Sequence, residues 1–386
     1  VTADTTPILD RQAPLPPRSA PGSGLGLLLS VWYGVIAIVA ICIVLERPRR
    51  LREWIQFDFQ EWFQAQRGSI GISGIVVSVL CAYYAMIAIH ELGHVLAGLA
   101  VGFRLRSIRV GPLMLNRPFR ASLYRGPGAF VNGVAELIPV PTERLTGRAM
   151  VMVLGGPTAN ILSAIVVLCF PFPGSAFCWA FAVFSVTNGL SDLFPFESRL
   201  GVSDGRRIWM LLRHRGRGER WLALLQLGGE INDGVLPESY SADALAKATA
   251  VVDDSADTVT AHAIAYAAAF HQHHDDEAGH FLEMCLAYSG RAAPVVREAL
   301  MSDAAVFQAR RRKRAVLAEQ WLADMPTTSQ FPWLRSKAEA AILEANGDVA
   351  GAVAKLAALE TAILSFPRSA QRETSLQLLQ RWKSEL

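Results

Sequence analysis

From Gly68 to Phe103 the chain carries one charged side chain, Glu91, and that residue lies inside the run His90-Glu91-Leu92-Gly93-His94. An apolar stretch of this length exceeds the roughly 20 residues a helix needs to cross a bilayer, so the segment is expected to span a membrane. On a helix, positions i and i+4 share a face one turn apart. His90 and His94 can therefore offer two imidazole nitrogens to one metal ion, with Glu91 beside them to accept a proton. A charged group costs roughly 2.5–3.5 kcal/mol at the centre of a span on insertion scales, and such groups face protein or water where chemistry needs them. Two ordinary core histidines in a helix would not explain this apolar setting.

Two imidazoles with an adjacent carboxylate are the donors and the base of a zinc-dependent peptide hydrolase. Catalytic zinc keeps three protein ligands and one open position. The remaining histidines, His214, His262, His271, His273, His274 and His280, all lie outside the apolar segments. A carboxylate near the end of another span is therefore expected as the third donor. Asp192, in the run Asn188 to Phe196, and Asp204, in Val202-Ser203-Asp204-Gly205, both qualify. Cysteines 42, 81, 169, 178 and 285 show no Cys-x-x-Cys spacing, so neither a disulfide framework nor a thiolate zinc site is expected.

Four apolar segments, at about 25–45, 70–97, 149–171 and 175–194, are candidates to span the bilayer, the last two joined by a short uncharged turn at Phe170 to Ser175. Residues 1–220 contain 22 Arg, no Lys and 13 acidic groups, net +9, whereas residues 221–386 carry 15 basic and 21 acidic groups, net −6. This shift predicts a boundary near Arg220 between a membrane part and a soluble part. The mean hydropathy of +0.28 fits that division and excludes a wholly soluble globule. Arginines concentrate in 104–148 and after Phe196, which puts both stretches, the amino terminus and the soluble part in the cytosol. Arg47, Arg49, Arg50, Arg52 and Arg67 oppose that assignment, and the aromatic stretch 51–66 is expected to lie in the membrane surface. Residues 1–24, rich in proline, are expected to be a disordered tail, and 211–240 a linker containing Gly228, Gly229, Gly234 and Pro237.

Three motifs in this order resemble the site-2 protease family of intramembrane zinc metalloproteases: His90-Glu91-Leu92-Gly93-His94, Gly156-Pro157-Thr158-Ala159-Asn160, and Asp192 to Phe196 leading to Ser203-Asp204-Gly205. The resemblance spans roughly residues 70–210. It implies a zinc ion held by His90, His94 and Asp204, Glu91 as general base, and Asn160 as a residue that positions substrate or a developing oxyanion. Departures from the family pattern are Asp192 where an asparagine is usual, Ser203 in place of leucine before Asp204, and an insertion from Glu197 to Val202. Gly205 is expected to permit a tight backbone approach to the metal. Between Arg104 and Gly147, glycine-proline turns and alternating apolar residues predict a short β-hairpin insert whose strand edge could hold an extended substrate.

After Ser241 the apolar spacing becomes helical, and Ala278, Ala315 and Ala352 recur at a constant interval, as do Phe270 and Phe307. This pattern resembles tetratricopeptide-type helical hairpins. The expected fold is thus an α-helical multi-pass membrane protein of about four transmembrane helices with a short β-hairpin insert, and a soluble all-α helical-repeat domain over 241–386. Histidines 271–280 read as a solvated turn, and the basic run Arg310 to Arg314 as a solvated helix face rather than a nucleic-acid site. The expected function is intramembrane zinc endopeptidase in a bacterial-type plasma membrane. Its partners would be a transmembrane protein substrate, the lipid bilayer, and a cytosolic protein or peptide on the repeats, with no nucleic acid. A catalytically inactive zinc-binding scaffold remains the alternative.

Overall fold

The computed structural model describes residues 7–11, 13–17, 59–116, 120–124, 129–130, 132–140, 143–169, 176–198, 201–213, 215–327, 331–366 and 368–386. The apolar segment 25–45, most of the aromatic stretch 51–66 and the turn 170–175 lie outside them. The chain divides into two compact units, one comprising residues 21–218 and the other residues 1–20 with 219–386.

In the first unit, helix α1 (Phe59–Ala100) is broken at Gly71, whose φ of 69° only glycine adopts freely. The part from Ile70 to Ala100, α2 (Leu145–Cys169) and α3 (Ala176–Leu193) are each long and apolar enough to cross a membrane. Their outer faces carry exposed aliphatics such as Val76, Leu80, Leu162 and Val166, as a lipid-facing surface requires. The inner faces meet closely. At the α1–α2 crossing, a Cβ on Gly93 or on Gly155 would run into the backbone carbonyl of the other, so the two glycines let the helix backbones touch. Between α1 and α3, Ala82, Met86 and Ile87 pack against Phe181.

Between α1 and α2 the chain forms four antiparallel strands, β1 (Phe103–Val110), β2 (Leu113–Asn116), β3 (Arg120–Leu123) and β4 (Gly133–Pro139), in the order β3-β2-β1-β4. This is a sheet rather than the single short hairpin expected. Val110 pairs with both Leu113 and Gly133, so β1 is central and β4 forms one edge. After α3, the expected insertion is a two-residue ladder, β5 (Glu197–Ser198) with β6 (Gly201–Val202), which returns the chain to the end of α3 and to α4 (Asp204–Arg213).

The second unit begins within α5 (Arg215–Asn232). The stretch expected to be a linker is thus largely helical. Ala223 and Leu227, one turn apart, bury against α6 (Ala242–Thr249) and α7 (Ala256–His271), which outweighs the helix cost of Gly228 and Gly229. Arg220 is 2% exposed and grips the loop before α7. Its terminal amines reach both oxygens of Asp253 at 2.9 and 3.2 Å and also Val251 O, Ser255 and Thr258.

Helices α7 and α8 (Asp275–Ala287), α9 (Pro294–Arg310) and α10 (Ala315–Ala323), and α11 (Pro332–Ala345) and α12 (Val349–Ser365) follow as three pairs, with α13 (Ala370–Glu385) last. Ala278, Ala318 and Ala352 are each the fourth residue of the second helix of a pair, and each is fully buried. The structural equivalent of Ala278 is therefore Ala318, not Ala315, and the interval is not constant. Residues 7–17 also differ from expectation. Ile8 and Leu9 are buried in the core formed by α7 to α13, so this part of the proline-rich tail is bound rather than disordered.

Candidate metal centre

Near its carboxy-terminal end α1 presents His90, Glu91 and His94, and α2, α3 and the start of α4 close around them. The Nε2 atoms of His90 and His94 lie 3.1 Å apart. Asp204 Oδ2 is 3.0 Å from that of His94 and 3.4 Å from that of His90. Among the described residues this is the group whose donor atoms, all within 4.8 Å of one another, could hold a metal ion. Asp204 Oδ2 is buried and accepts no hydrogen bond, although two ring nitrogens face it. Leaving a buried acceptor unpaired costs about 1–3 kcal/mol, more when it is charged, and a shared cation removes that cost. Two imidazoles and a carboxylate also match the donor set of catalytic zinc.

The next layer fixes how the rings present themselves. His94 Nδ1 lies 2.9 Å from the Met152 carbonyl. A proton on Nδ1 donated to that carbonyl leaves the Nε2 lone pair for a metal. Gly156 makes this possible, because a Cβ there would collide with the His94 ring and press on that of His90. The His90 Nδ1 atom faces the Asn160 amide at 3.2 Å and the Asn188 amide at 3.4 Å. Asn160 is wholly buried, and its Oδ1 has no partner. Turning that amide so that Oδ1 accepts from Nδ1–H satisfies both groups, again freeing Nε2.

The carboxylates divide the work. Asp192 Oδ2 is 3.2 Å from His90 Nε2, while its Oδ1 accepts the backbone N–H of Asp204 at 3.3 Å. Asp192 thus links one donor to the backbone of another, from the same face of α3 as Asn188 one turn before it. Ser203, in the place the family gives to leucine, caps α4: its Oγ accepts the Arg206 N–H at 3.1 Å and donates to Phe194 O at 2.7 Å. Asp204 is held as the first residue of that helix. Gly205 has a different role from the one expected. A Cβ there would strike the backbone at Leu193 and Phe194, so the glycine allows α4 to pack on the end of α3 rather than approach a metal.

Glu91 is 7% exposed and turns toward the sheet. Gly133, the first residue of β4, sits directly on its carboxylate, where any Cβ would overlap it. Edge strand and candidate base are therefore adjacent. Sequence reasoning brought forward His90, Glu91, His94, Asn160, Asp192 and Asp204, and the structure gathers them. It missed Asn188, Gly133 and the Met152 carbonyl; only Asn188 left a signal, its i,i+4 spacing from Asp192. The histidines of 271–280 form no such donor group among the described residues.

The family model described as Peptidase family M50 matches residues 78–285, just over half of the chain, and covers every residue of this cluster. Comparison with curated proteins and comparison with solved structures each returned no match.

Proposed function

The chain belongs to peptidase family M50, the site-2 protease family, and on that premise we propose that it hydrolyses peptide bonds in or beside transmembrane segments of membrane-anchored proteins. The observation that carries this reading is the buried convergence of His90, His94 and Asp204 with an Asp204 oxygen left unbonded. Zinc bound by these three residues would supply a Lewis acid that polarises the scissile carbonyl and lowers the pKa of an attacking water. Glu91 takes the proton of that water and returns it to the leaving amine. A purely structural site would need no such base, which weighs against an inactive scaffold.

The other residues orient and hold. Met152 and Asn160 fix the two rings, which makes Asn160 a positioning residue for His90 in addition to the substrate role implied by the family. Asp192 holds Asp204 in place. A helical substrate hides its carbonyls in its own hydrogen bonds and must unwind to be cut. The free edge of β4, which starts against Glu91, offers backbone pairing for that extended stretch. The arginine distribution favours a cytosolic helical unit, which recruits a protein or peptide partner. Purified protein in detergent should cut a reporter helix, stop when a chelator strips its metal, and recover on addition of zinc. Cleavage that persists without metal would refute the reading.

A further inference from the structure

In the second unit, residues 8–11 make contacts of a kind usually seen between a receptor and a ligand. Glu283 on α8 accepts the backbone N–H groups of Ile8 and Leu9, one on each carboxylate oxygen, both at 2.7 Å. The Leu9 carbonyl accepts from Gln308 Nε2 on α9 at 2.9 Å and from Trp321 Nε1 on α10 at 3.2 Å. Both of those donors belong to side chains with no exposed surface, so the groove they form is built rather than incidental. The Leu9 side chain itself is 2% exposed.

Charge then selects the next two residues. Asp10 accepts from Arg312 at 2.6 Å, Arg314 at 3.1 Å and Gln308 at 3.0 Å. Arg11 turns back over the Trp321 ring, 4.2 Å from its centroid, and bonds Asp324 at 2.6 Å and the Gln320 carbonyl at 2.8 Å. The turn is closed by Arg11 N–H to the Ile8 carbonyl at 2.9 Å, with Arg11 at a φ of 63° that a non-glycine residue adopts only when its surroundings hold it there. Two of the arginines expected to form a solvated face are thus committed to one aspartate.

We propose that the groove between α8, α9 and α10 is a peptide-binding site, that residues 8–11 are its resident intramolecular ligand, and that it accepts in trans a segment of the same chemistry. That chemistry is two adjacent aliphatic residues followed by an aspartate and an arginine. Backbone capture by Glu283, Gln308 and Trp321 supplies affinity, while the Leu9 pocket and the paired arginines supply selectivity. Because the resident segment belongs to the same chain, its binding is intramolecular, so the groove is closed until a partner competes or the segment is withdrawn.

The proposal rests on the reading of the helical unit as the partner-binding part and is independent of the peptidase chemistry. The test uses the full-length protein in detergent, a Leu9→Asp variant, a chain lacking residues 1–17, and a fluorescein-labelled synthetic peptide of residues 5–17 followed by anisotropy. Both altered proteins should bind the peptide at least ten-fold more tightly than the wild type. Adding Arg312→Glu to the shortened chain should abolish that binding, and a peptide carrying Asp10→Arg should restore part of it. Equal binding by wild-type and shortened chains, or binding indifferent to Arg312→Glu, would overturn the proposal. If the shortened chain binds no peptide while removal of residues 219–386 still alters substrate preference, the groove assignment falls and the wider reading of the unit stands.

Discussion

The two units bury polar side chains for opposite ends. In the membrane unit the donor atoms of His90, His94 and Asp204 converge within 4.8 Å of one another, and Asp204 Oδ2 is left without a hydrogen bond. In the helical unit Arg220 is equally buried, yet its terminal amines make five hydrogen bonds to Val251, Asp253, Ser255 and Thr258. Unpaired atoms occur there too, Arg220 Nε itself and also Glu298 Oε1 and Ser289 Oγ, but among the described residues none joins a cluster of metal donors. Convergence of unmet donors, not burial alone, separates a chemical site from a structural one.

The comparison is broken most sharply by removing one member of the unmet cluster. Asp204→Ala should lose both zinc and all measurable cleavage, whereas Asp192→Ala should keep most of the metal; the reverse pattern in metal analysis would move the ligand role to Asp192. In the helical unit the matching change is Arg220→Met. It strands Asp253 and should cost that unit about 3 kcal/mol in denaturant unfolding, with zinc content unchanged. A parallel loss of zinc would mean the units are not separate in the way described. Asn160→Ala should be milder, lowering metal affinity about 10–100-fold by freeing the His90 ring, as second-layer changes do. An unchanged metal affinity with a lower turnover would favour the substrate role instead.

A last expected effect is a pH dependence confined to the helical unit. Burial, helped by Lys337, pushes His271 down from 6.5 to about 4. The unfolded chain therefore takes up this proton first as the pH falls, so stability should decline from pH 6.5 toward 4, by about 3 kcal/mol. His271→Gln should flatten that slope in thermal melts. A slope unaffected by the substitution would place the titration elsewhere.

How far the sequence could be read follows the same division. His90 and His94 are legible because a helix puts them on one face one turn apart, and the apolar setting makes the charge of Glu91 conspicuous. Asp204 was reachable through its family pattern, although the reason for Gly205 was not, since its neighbour Leu193 is brought back only by the β5–β6 turn. The four-stranded sheet was read as a hairpin because strand count depends on pairing, which short alternating runs do not reveal. Ile8 and Leu9 were missed for a plainer reason. Their partners Glu283, Gln308 and Trp321 lie hundreds of residues away, and prolines at 14, 16 and 17 leave no helical or strand period to mark a bound segment. The α5 helix was hidden by its glycines, whose cost is local while the burial of Leu227 is tertiary.

The most direct test of the membrane unit as a zinc peptidase pairs metal content with cleavage in a single substitution, Glu91→Gln. Purified wild-type and variant proteins would be assayed for zinc per chain and for hydrolysis of a transmembrane reporter under identical conditions. The expected result is about one zinc in both, with hydrolysis about 100- to 10,000-fold slower in the variant, because the ligands remain and only the proton acceptor is gone. Hydrolysis by the variant at a rate near that of the wild type, or a wild-type protein that binds no zinc, would contradict it.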